Sequence, residues 1–456
     1  MATTTITKTA SANITLTAGQ WLVVSGDGTY TLGPGLYNGK IVGIVNRAKI
    51  GPFPFDQTVV LCASVTDLVY YTQSAPIGTY PMSLDPASGL ITDPAQRAAV
   101  GEAAAYKKDA AALRQPVVTA VSGAPTITTG NTSTTITSAQ TIAKDDACFE
   151  YLGVGIGTWG AVPTMNISNP ADGFMSVEFM INSASFDLVF NNQNSRIMIW
   201  VDDQPALSNH IQLTASGAME YTNLTFSSRA SRKIRIDGFN MPFGGLRIGA
   251  ADTVWAVNNS APLMFIGPGD SYTQGTGARS QSMTWAGTFA RTLGYRFWLE
   301  GLGGSGWNSA SPNSPAERAT VRGALIRRVA GVNTTVTPDK RVVALGYNDA
   351  GGNMTTAAAA FDAYIAAVPT RPDLIIGPWT PLGTTGNLTL VKTMLQGRAA
   401  AYGINYLDID NLVNSVNKGA LTGGDNVHPT NDGHDYLGFR DAQLAVTAGY
   451  LKRYSA

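Results

Sequence analysis

Histidine and cysteine are scarce in this chain of 456 residues, and their scarcity excludes several classes of protein. There are only two cysteines, Cys62 and Cys148, and they lie far apart. They form neither a CxxC pair nor a dense disulfide framework, so we expect buried free thiols. Two of the three histidines fall in one short stretch, "DNVHPTNDGH" (425–434), but no HExxH motif or Cys/His cluster accompanies them. A metal site is therefore not expected.

Charge and long apolar runs are also lacking. The chain carries 31 basic and 31 acidic residues, a formal net charge of zero, while 44% of its residues are hydrophobic. This composition fits a folded protein and gives no electrostatic reason to expect nucleic acid or an anionic membrane as partner. No run approaches the roughly 18 apolar residues that a membrane-spanning helix needs. The first residues lack the features of a secretory signal. We therefore expect a soluble protein, without membrane insertion, that does not leave a cell by the general secretory route.

The length predicts two or three domains, and four segments differ in composition. Residues 1–75 are rich in Thr, Gly and Val, with short alternating runs that indicate a small all-β module. Residues 76–116 read as a Pro/Ser/Gly linker followed by an alanine-rich helix, which Asp93 caps and Pro116 ends. Residues 117–258 contain strand-length runs such as "GFMSVEFMI" and "RKIRIDGF" between turns, as a β-sandwich or jelly roll requires.

Strands and helices alternate in residues 259–456, which predicts a parallel sheet covered on both faces. "PLMFIGPGDS", "YRFWLEG", "KRVVALGYND", "PDLIIGPW" and "INYLDIDNL" are the predicted strands. "PAERATVRGALIRRVAG" reads as one of the intervening helices. Such folds bind ligands beyond the carboxyl ends of their strands, so polar residues that follow the strands are candidates for the functional site.

Four stretches that follow predicted strands contain residues suited to acyl transfer. Ser271 lies in "GDSYTQGTG", Gly306 in "EGLGGSGW", Asn348 in "GYND", and Asp425 and His428 lie in "DNVHP". A serine hydroxyl needs a base, which a histidine can be, and that imidazole needs an acceptor on its other nitrogen. The Ser271 N–H, the Gly306 N–H and the Asn348 amide can form an oxyanion hole. This mechanism needs no metal, and we expect no cofactor.

Each stretch alone has a simpler interpretation. Gly-Asp-Ser makes ordinary turns, Gly-x-Asn-Asp can form an Asx-turn, and the chain is glycine-rich throughout. A GxSxG elbow is missing, which argues against an ordinary α/β-hydrolase. The order of the stretches, each after a predicted strand within about 170 residues, favours a catalytic site.

The set resembles the SGNH (GDSL-like) hydrolase family over roughly residues 262–455. "GDS", "GGSGW", "GYND" and "DNVHP" match its four blocks. The resemblance implies a three-layer α/β/α flavodoxin-like domain. It also implies Ser271 as nucleophile, His428 as base, Asp425 as its orienting acid, and Ser271, Gly306 and Asn348 as the oxyanion hole. His434 is expected to be structural. The family often has Thr where Ser305 stands, a difference that should not affect the chemistry.

A β-sandwich ahead of the catalytic domain is similar to the arrangement in some carbohydrate esterases of this family. The N-terminal module resembles a bacteriophage tail-fibre or tailspike attachment region. Together these resemblances imply a virion protein that removes O-acetyl groups from a host surface polysaccharide. The sequence leaves open whether it forms a homo-oligomer such as a trimer. Tail proteins would be its partners and the host cell surface its place of action, with the cytoplasm as the alternative location. Four aromatic residues can stack on sugar rings or fill the core: Tyr272, Trp307, Tyr347 and Trp379.

Two other functions remain open from the sequence. A general lipase or thioesterase would use the same residues, although no apolar lid helix is evident. A non-catalytic structural or receptor-binding virion protein would be free to lose them, and the intact set argues against it.

Overall fold

The computed structural model describes short strands between residues 4 and 46 and most of residues 123–454. Within 123–454 the gaps are 134–135, 137, 155, 160–161, 166–173, 192–194, 214–218, 240, 311–313, 322–324, 330–331, 380–387, 411 and 414–416. The linker and helix expected at residues 76–116 lie outside the described residues, as does Cys62. Cys148 is buried and free, as expected.

The chain divides into two compact units. One comprises residues 1–113 with 443–452, and the other comprises residues 114–442 with 453–456. In the first unit the described strands are β1 (Thr4–Lys8), β2 (Ala12–Ile14), β3 (Gln20–Val24), β4 (Tyr30–Leu32) and β5 (Ile44–Asn46). All their pairings are parallel, in the orders β1-β3-β5 and β2-β4.

The second unit contains a large antiparallel sheet of twelve described strands. Ten of them precede the α/β part: β6 (Thr126–Gly130), β7 (Gln140–Ala143), β8 (Glu150–Val154), β11 (Phe174–Asn191), β12 (Arg196–Val201), β13 (Gln204–Pro205), β14 (Ile211–Gln212), β15 (Met219–Phe239), β16 (Phe243–Ile248) and β17 (Thr253–Trp255). A separate pair is formed by β9 (Ile156–Trp159) and β10 (Val162–Met165).

Two long strands give this sheet its shape. β11 and β15 pair along nearly their whole lengths, with a register shift between Ser183 and Ser185. Before the shift β11 has β8 and β17 on its other edge, and after it β11 pairs with β16. A bulge of this kind bends a strand and increases its twist, so β11 takes part in two differently oriented parts of the sheet. Phe149, Phe179, Phe186 and Phe243 are all buried along these strands.

The α/β part is built on a five-stranded parallel sheet. Its strands are β18 (Leu263–Gly269), β19 (Arg296–Gly301), β22 (Lys340–Ala344), β23 (Leu374–Ile376) and β24 (Asn405–Leu407). The spatial order is β19-β18-β22-β23-β24. Counted along the chain this order is 2-1-3-4-5, the flavodoxin-like arrangement, whose ligands bind where the strand order reverses, between the first and third strands.

Helices connect these strands. They are α1 (Ser271–Gln274), α2 (Trp285–Thr292), α3 (Pro315–Val321), α4 (Met354–Ala367), α5 (Leu388–Tyr402), α6 (Lys418–Leu421) and α7 (Asn431–Thr447). Short 3₁₀ helices span Gln281–Met283 and Tyr347–Asp349.

The helices form two layers, one on each face of the sheet. Right-handed connections place α2 on one face and α3, α4 and α5 on the other. Buried side chains of α3, α4 and α5 share one apolar cluster with β22 and β23. On the opposite face α7 packs closely on α2, because a Cβ at Gly438 would lie 2.2 Å from the carbonyl oxygen of Trp285.

One predicted helix is confirmed over only the first part of its length. Residues 315–321 are helical, but the following residues form a hairpin, β20 (Leu325–Val329) and β21 (Val332–Thr335). β20 pairs with β8, so this hairpin from the α/β part extends the antiparallel sheet. Ala, Leu and Arg favour helices locally, and pairing with a distant strand edge overrides that preference.

The antiparallel sheet and the α/β part also meet through side chains. The indole N–H of Trp298 donates to the Phe174 carbonyl at 2.9 Å, and Arg296 contacts Glu150 at 2.6 Å. Burial raises the pKa of the neighbouring Glu178 carboxyl, but the charges of Arg296, Arg235 and Lys233 outweigh burial and leave the pKa at about 2. The antiparallel region therefore holds the α/β part through buried, charge-compensated contacts.

Candidate active site

Ser271 begins the first helix directly after β18, an interior strand of the parallel sheet. Asp270 caps this helix, because its Oδ1 accepts the Tyr272 N–H at 3.0 Å. Ser271 is buried except for 9% of its surface. The turn from strand to helix thus presents one hydroxyl at the carboxyl edge of the sheet.

The capping carboxyl of Asp270 is itself unusual. Burial raises its pKa to about 7, although the Tyr272 N–H bond and the charges of Arg318 and His428 act in the opposite direction. Asp270 thus changes protonation near neutral pH directly beside the nucleophile.

His428 lies on a tight loop between α6 and α7, which Asp425 organises. The Oδ1 of Asp425 accepts the backbone N–H groups of Val427 at 2.9 Å and His428 at 3.0 Å. Asn426 adopts a left-handed conformation with φ 58°, which asparagine tolerates better than most residues. The Asp-x-x-His spacing therefore lets one carboxylate fix the loop and still face the imidazole.

Ser271, His428 and Asp425 form a continuous hydrogen-bonded triad. The distance from Ser271 Oγ to His428 Nε2 is 2.8 Å, and that from His428 Nδ1 to Asp425 Oδ2 is 2.6 Å. With Asp425 ionised, Nδ1–H donates to the carboxylate and Nε2 is left to accept the serine proton. This is the geometry that a general base and its nucleophile require.

Asp425 remains a carboxylate over the working range of most enzymes. Its hydrogen bonds from the His428 ring and from the Val427 N–H lower its pKa to about 2. Half of its side-chain surface is exposed, so solvent also stabilises the charged form. Asp425 can therefore hold the imidazole in one tautomer above about pH 3.

Tyr272 fastens the histidine loop to the nucleophile turn. Its hydroxyl donates to the Val427 carbonyl at 2.9 Å, and its ring lies 5.6 Å from that of His428. Only 6% of its surface is exposed. Tyr272 thus holds the histidine loop against the nucleophile turn, and it offers little surface to a sugar ring.

The oxyanion donors expected from the sequence are arranged unequally. Asn348 is exposed, and its amide donates one hydrogen to the Ser305 carbonyl at 2.8 Å, which leaves its second hydrogen for a ligand. The Gly306 N–H instead donates to Ser309 Oγ at 2.7 Å. The expected role of Gly306 therefore requires the Ser309 hydroxyl to give up this bond when an oxyanion forms.

Asp349, to which the sequence analysis gave no role, holds the glycine loop in place. Its carboxylate accepts the backbone N–H groups of Trp307 at 2.7 Å and Asn308 at 2.8 Å. A Cβ at Gly306 would lie 2.6 Å from this carboxylate, so only glycine fits there. Asp349 directly follows Asn348 in the "GYND" stretch. This position in the motif is the sequence feature that could have indicated its role.

Of the four aromatic residues expected near the substrate, Trp307 does not reach it. Only 1% of its surface is exposed, it packs in the cluster beneath α4, and its indole N–H donates to the Leu345 carbonyl. Tyr347 is partly exposed, whereas Trp379 is buried with its ring 4.9 Å from that of Tyr272. Trp307 is therefore a core residue, which is one of the two roles that the sequence left open for it.

His434 and His210 both serve the framework. Nδ1 of His434 accepts the Trp285 N–H at 3.1 Å and its Nε2–H donates to the Thr276 carbonyl at 3.0 Å, with the ring fully buried. Burial lowers the pKa of His434 to about 4. His210 bonds through Nδ1 to the Arg279 carbonyl, which links the antiparallel region to the α/β part. These contacts agree with the structural role expected for His434, and they give His210 a structural role as well.

The described parts of the chain contain neither a metal-binding cluster nor a membrane-spanning helix. No group of three or more His, Cys, Asp or Glu side chains there is arranged to hold a metal ion. None of the helices in those parts is long and apolar enough to cross a membrane.

Residues 269–436 match the model of the GDSL-like Lipase/Acylhydrolase family, and this range contains the whole triad. No curated protein matches the chain by sequence. The fold is similar to that of a family two carbohydrate esterase from Cellvibrio japonicus, at 16% identity and a TM-score of 0.50, over 69% of this chain and 99% of that one. It is also similar to a salicylyl-acyltransferase from a tetracycline biosynthetic pathway, at 13% identity and a TM-score of 0.53, over 70% and 99% of the two chains.

The family match and the geometry of the site lead to one class of protein. The α/β part with its Ser–His–Asp triad is an ester hydrolase domain, and it is similar to the GDSL-like family over residues 269–436. Each likeness covers about 70% of this chain, which is more than the α/β part alone.

Removing either end of the Ser271–His428 hydrogen bond should abolish turnover. We expect Ser271→Ala and His428→Ala each to lower kcat for a small acetyl ester by about 10³-fold or more, because the two residues act as a unit. Asn348→Ala should lower kcat by about 10²–10³-fold with little change in KM. Steady-state kinetics measure both effects, and His434→Asn is the matched histidine control, with kcat expected within a few-fold. A His428→Ala variant that keeps more than about a tenth of wild-type kcat would contradict the assignment.

His434 should make the folded state sensitive to acid. Its pKa is about 4 when folded and 6.5 in the unfolded reference, so between these values the unfolded chain binds the extra proton. Stability is then lost as pH falls from 6.5 to 4, by up to about 3 kcal/mol from this residue. His434→Asn, which keeps an acceptor for the Trp285 N–H but does not titrate, should lose less stability across the same range. Urea unfolding at several pH values compares the two proteins, and parallel curves would disprove this effect.

Proposed function

We propose that this protein is a serine esterase that removes O-acetyl groups from a polysaccharide. The observation that carries the proposal is the preformed triad, with Ser271 Oγ 2.8 Å from the base. The family two carbohydrate esterase with a similar fold supports the choice of a carbohydrate substrate.

The chemistry follows from the positions of the side chains. Ser271 Oγ attacks the acetyl carbonyl carbon while its proton passes to Nε2 of His428, and Asp425 stabilises the resulting imidazolium. The carbonyl oxygen becomes an oxyanion, which the free amide hydrogen of Asn348 stabilises. His428 then protonates the leaving sugar oxygen, and the C–O bond breaks to give acetyl-Ser271. A water molecule, deprotonated by His428, attacks this ester, and acetate leaves as Ser271 regains its proton.

The size of a cavity beside the nucleophile favours acetyl as the acyl group. The cavity has a volume of about 20 Å³ and is lined by Asp270 and Tyr272, which flank Ser271 in the sequence, and by Trp285, Tyr347 and Trp379. Such a volume holds little more than one water molecule or a methyl group. A long acyl chain, or an aromatic acyl group such as salicylyl, does not fit this space.

The sugar would lie on the open side of the triad. Asn348 and Asp425 are exposed there, and Tyr347 is partly exposed. The tyrosine ring offers an apolar face and a hydroxyl to a sugar, a combination suited to a partly wet binding surface.

Acyl-chain preference tests the proposal. The full-length protein should hydrolyse p-nitrophenyl acetate and an acetylated polysaccharide, with kcat/KM falling at least about tenfold from acetate to butyrate, because extra methylene groups do not fit the cavity. Trp379→Ala should enlarge the cavity and raise the butyrate-to-acetate ratio of kcat/KM. Trp255→Ala, at an exposed tryptophan of β17, is the matched control and should leave the ratio unchanged. Equal activity on long and short esters would favour the general lipase or thioesterase alternative, and no activity on any ester would favour the non-catalytic one.

We propose further that the N-terminal module, residues 1–75, attaches the enzyme to a phage tail, so that it acts at the host cell surface. The support is compositional, since this module is rich in Thr and Gly and poor in charge. A fragment that starts near Val117 should keep its acetyl-esterase activity and fail to assemble onto tail particles. If it is folded but inactive, the N-terminal residues, or an oligomer that they build, belong to the active site.

A further inference from the structure

Arg318 is a fully buried cation close to the triad that the mechanism above does not use. It lies on α3, and its side chain and that of Glu300 are 1% and 2% exposed. Its Nε donates to Glu300 Oε1 at 2.9 Å and its Nη2 to Glu300 Oε2 at 2.7 Å, a two-pronged ion pair. A buried pair of this kind is costly to desolvate and is not by itself evidence of stability, so its other contacts need explanation.

Those other contacts join two loops of the active site. Nη2 of Arg318 also donates to the carbonyl of Gly269, the last residue of the strand that leads to the nucleophile, at 2.6 Å. Nη1 donates to the hydroxyl of Ser305, in the glycine loop, at 2.7 Å. One guanidinium therefore fixes the end of β18 relative to the loop that follows β19.

Ser305 carries this constraint to the oxyanion hole. Its hydroxyl donates to the Leu302 carbonyl at 2.6 Å and lies 3.2 Å from the Gly269 carbonyl oxygen. Its own carbonyl oxygen accepts one hydrogen of the Asn348 amide at 2.8 Å. The direction in which Asn348 presents its second hydrogen thus depends on where Ser305 lies, and this depends on Arg318.

We infer that Arg318 and Ser305 are positioning residues of the oxyanion hole, which orient Asn348 relative to Ser271. Only a planar fork of donors can bind Glu300, Gly269 and Ser305 together, and a lysine ammonium in the same place cannot. The role is to hold the donor where charge develops in the transition state, so its loss affects kcat more than KM. The inference rests on the proposed function, because it concerns the same site.

Ser305 gives the cleanest test, since replacing it changes no charge. In the full-length protein, Ser305→Ala should lower kcat on p-nitrophenyl acetate by about tenfold with KM unchanged, whereas Ser305→Thr, which keeps the hydroxyl, should retain wild-type kcat. In an Asn348→Ala background the Ser305→Ala change should cost less than about twofold, because the donor that it orients is already gone. A general loss of structure would not produce this dependence on Asn348.

Arg318 is tested by removing both members of its ion pair. Arg318→Met with Glu300→Leu leaves no unpaired charge, so the fold should survive. We expect a lower kcat and an unchanged KM, since the triad itself is intact. The inference is overturned if wild-type protein is active and Ser305→Ala has no effect, or has the same effect with and without Asn348. Inactive wild-type protein would instead overturn the proposed function.

Discussion

The hydrogen bond between Ser271 Oγ and His428 Nε2 joins two residues that are 157 positions apart, and the α/β fold is what brings them within 2.8 Å. Ser271 follows β18, an interior strand of the parallel sheet, while His428 follows β24, the last of these strands along the chain. Because parallel strands end at a common edge, loops from distant parts of the chain meet there. Further contacts then hold the hydrogen bond in place: Asp425 orients the ring, and Tyr272 ties the histidine loop to the nucleophile turn.

Buried polar groups around this edge are used mainly to fix backbone segments. Asp349 accepts N–H groups of the glycine loop, Arg318 donates to the end of β18, and His434 joins α7 to the loop after the nucleophile. A buried polar group is costly unless it is hydrogen-bonded, so each of these groups favours one arrangement of the loops over others. A site preorganised in this way does not have to reorganise during the reaction, which is where much of the catalytic effect of an oxyanion hole comes from.

The sequence was informative about the site because strand polarity places residues after strands at one edge, whatever the details of packing. The sequence was less informative about features that depend on side-chain packing and on long-range strand pairing. Trp307 stands beside Gly306 in the sequence, yet its ring points into the core. The residues of β20 favour a helix locally but pair with β8, which is about 175 positions earlier. Arg318 and Glu300 carry no motif, and their link to the active site appears only when β18, β19 and α3 are seen together. Residues 76–116 lie outside the described structure, so their predicted helix stays a prediction.

The central claim is that Ser271 forms a covalent acetyl-enzyme, and trapping that intermediate tests it most directly. Full-length protein mixed with p-nitrophenyl acetate and quenched rapidly in acid can be digested and examined by peptide mass spectrometry. The mechanism predicts one acetyl group on the peptide that contains Ser271, assigned to that residue by fragmentation, and no such adduct in the Ser271→Ala protein. Turnover without an adduct at Ser271, or with acetyl carried by another side chain, would contradict it.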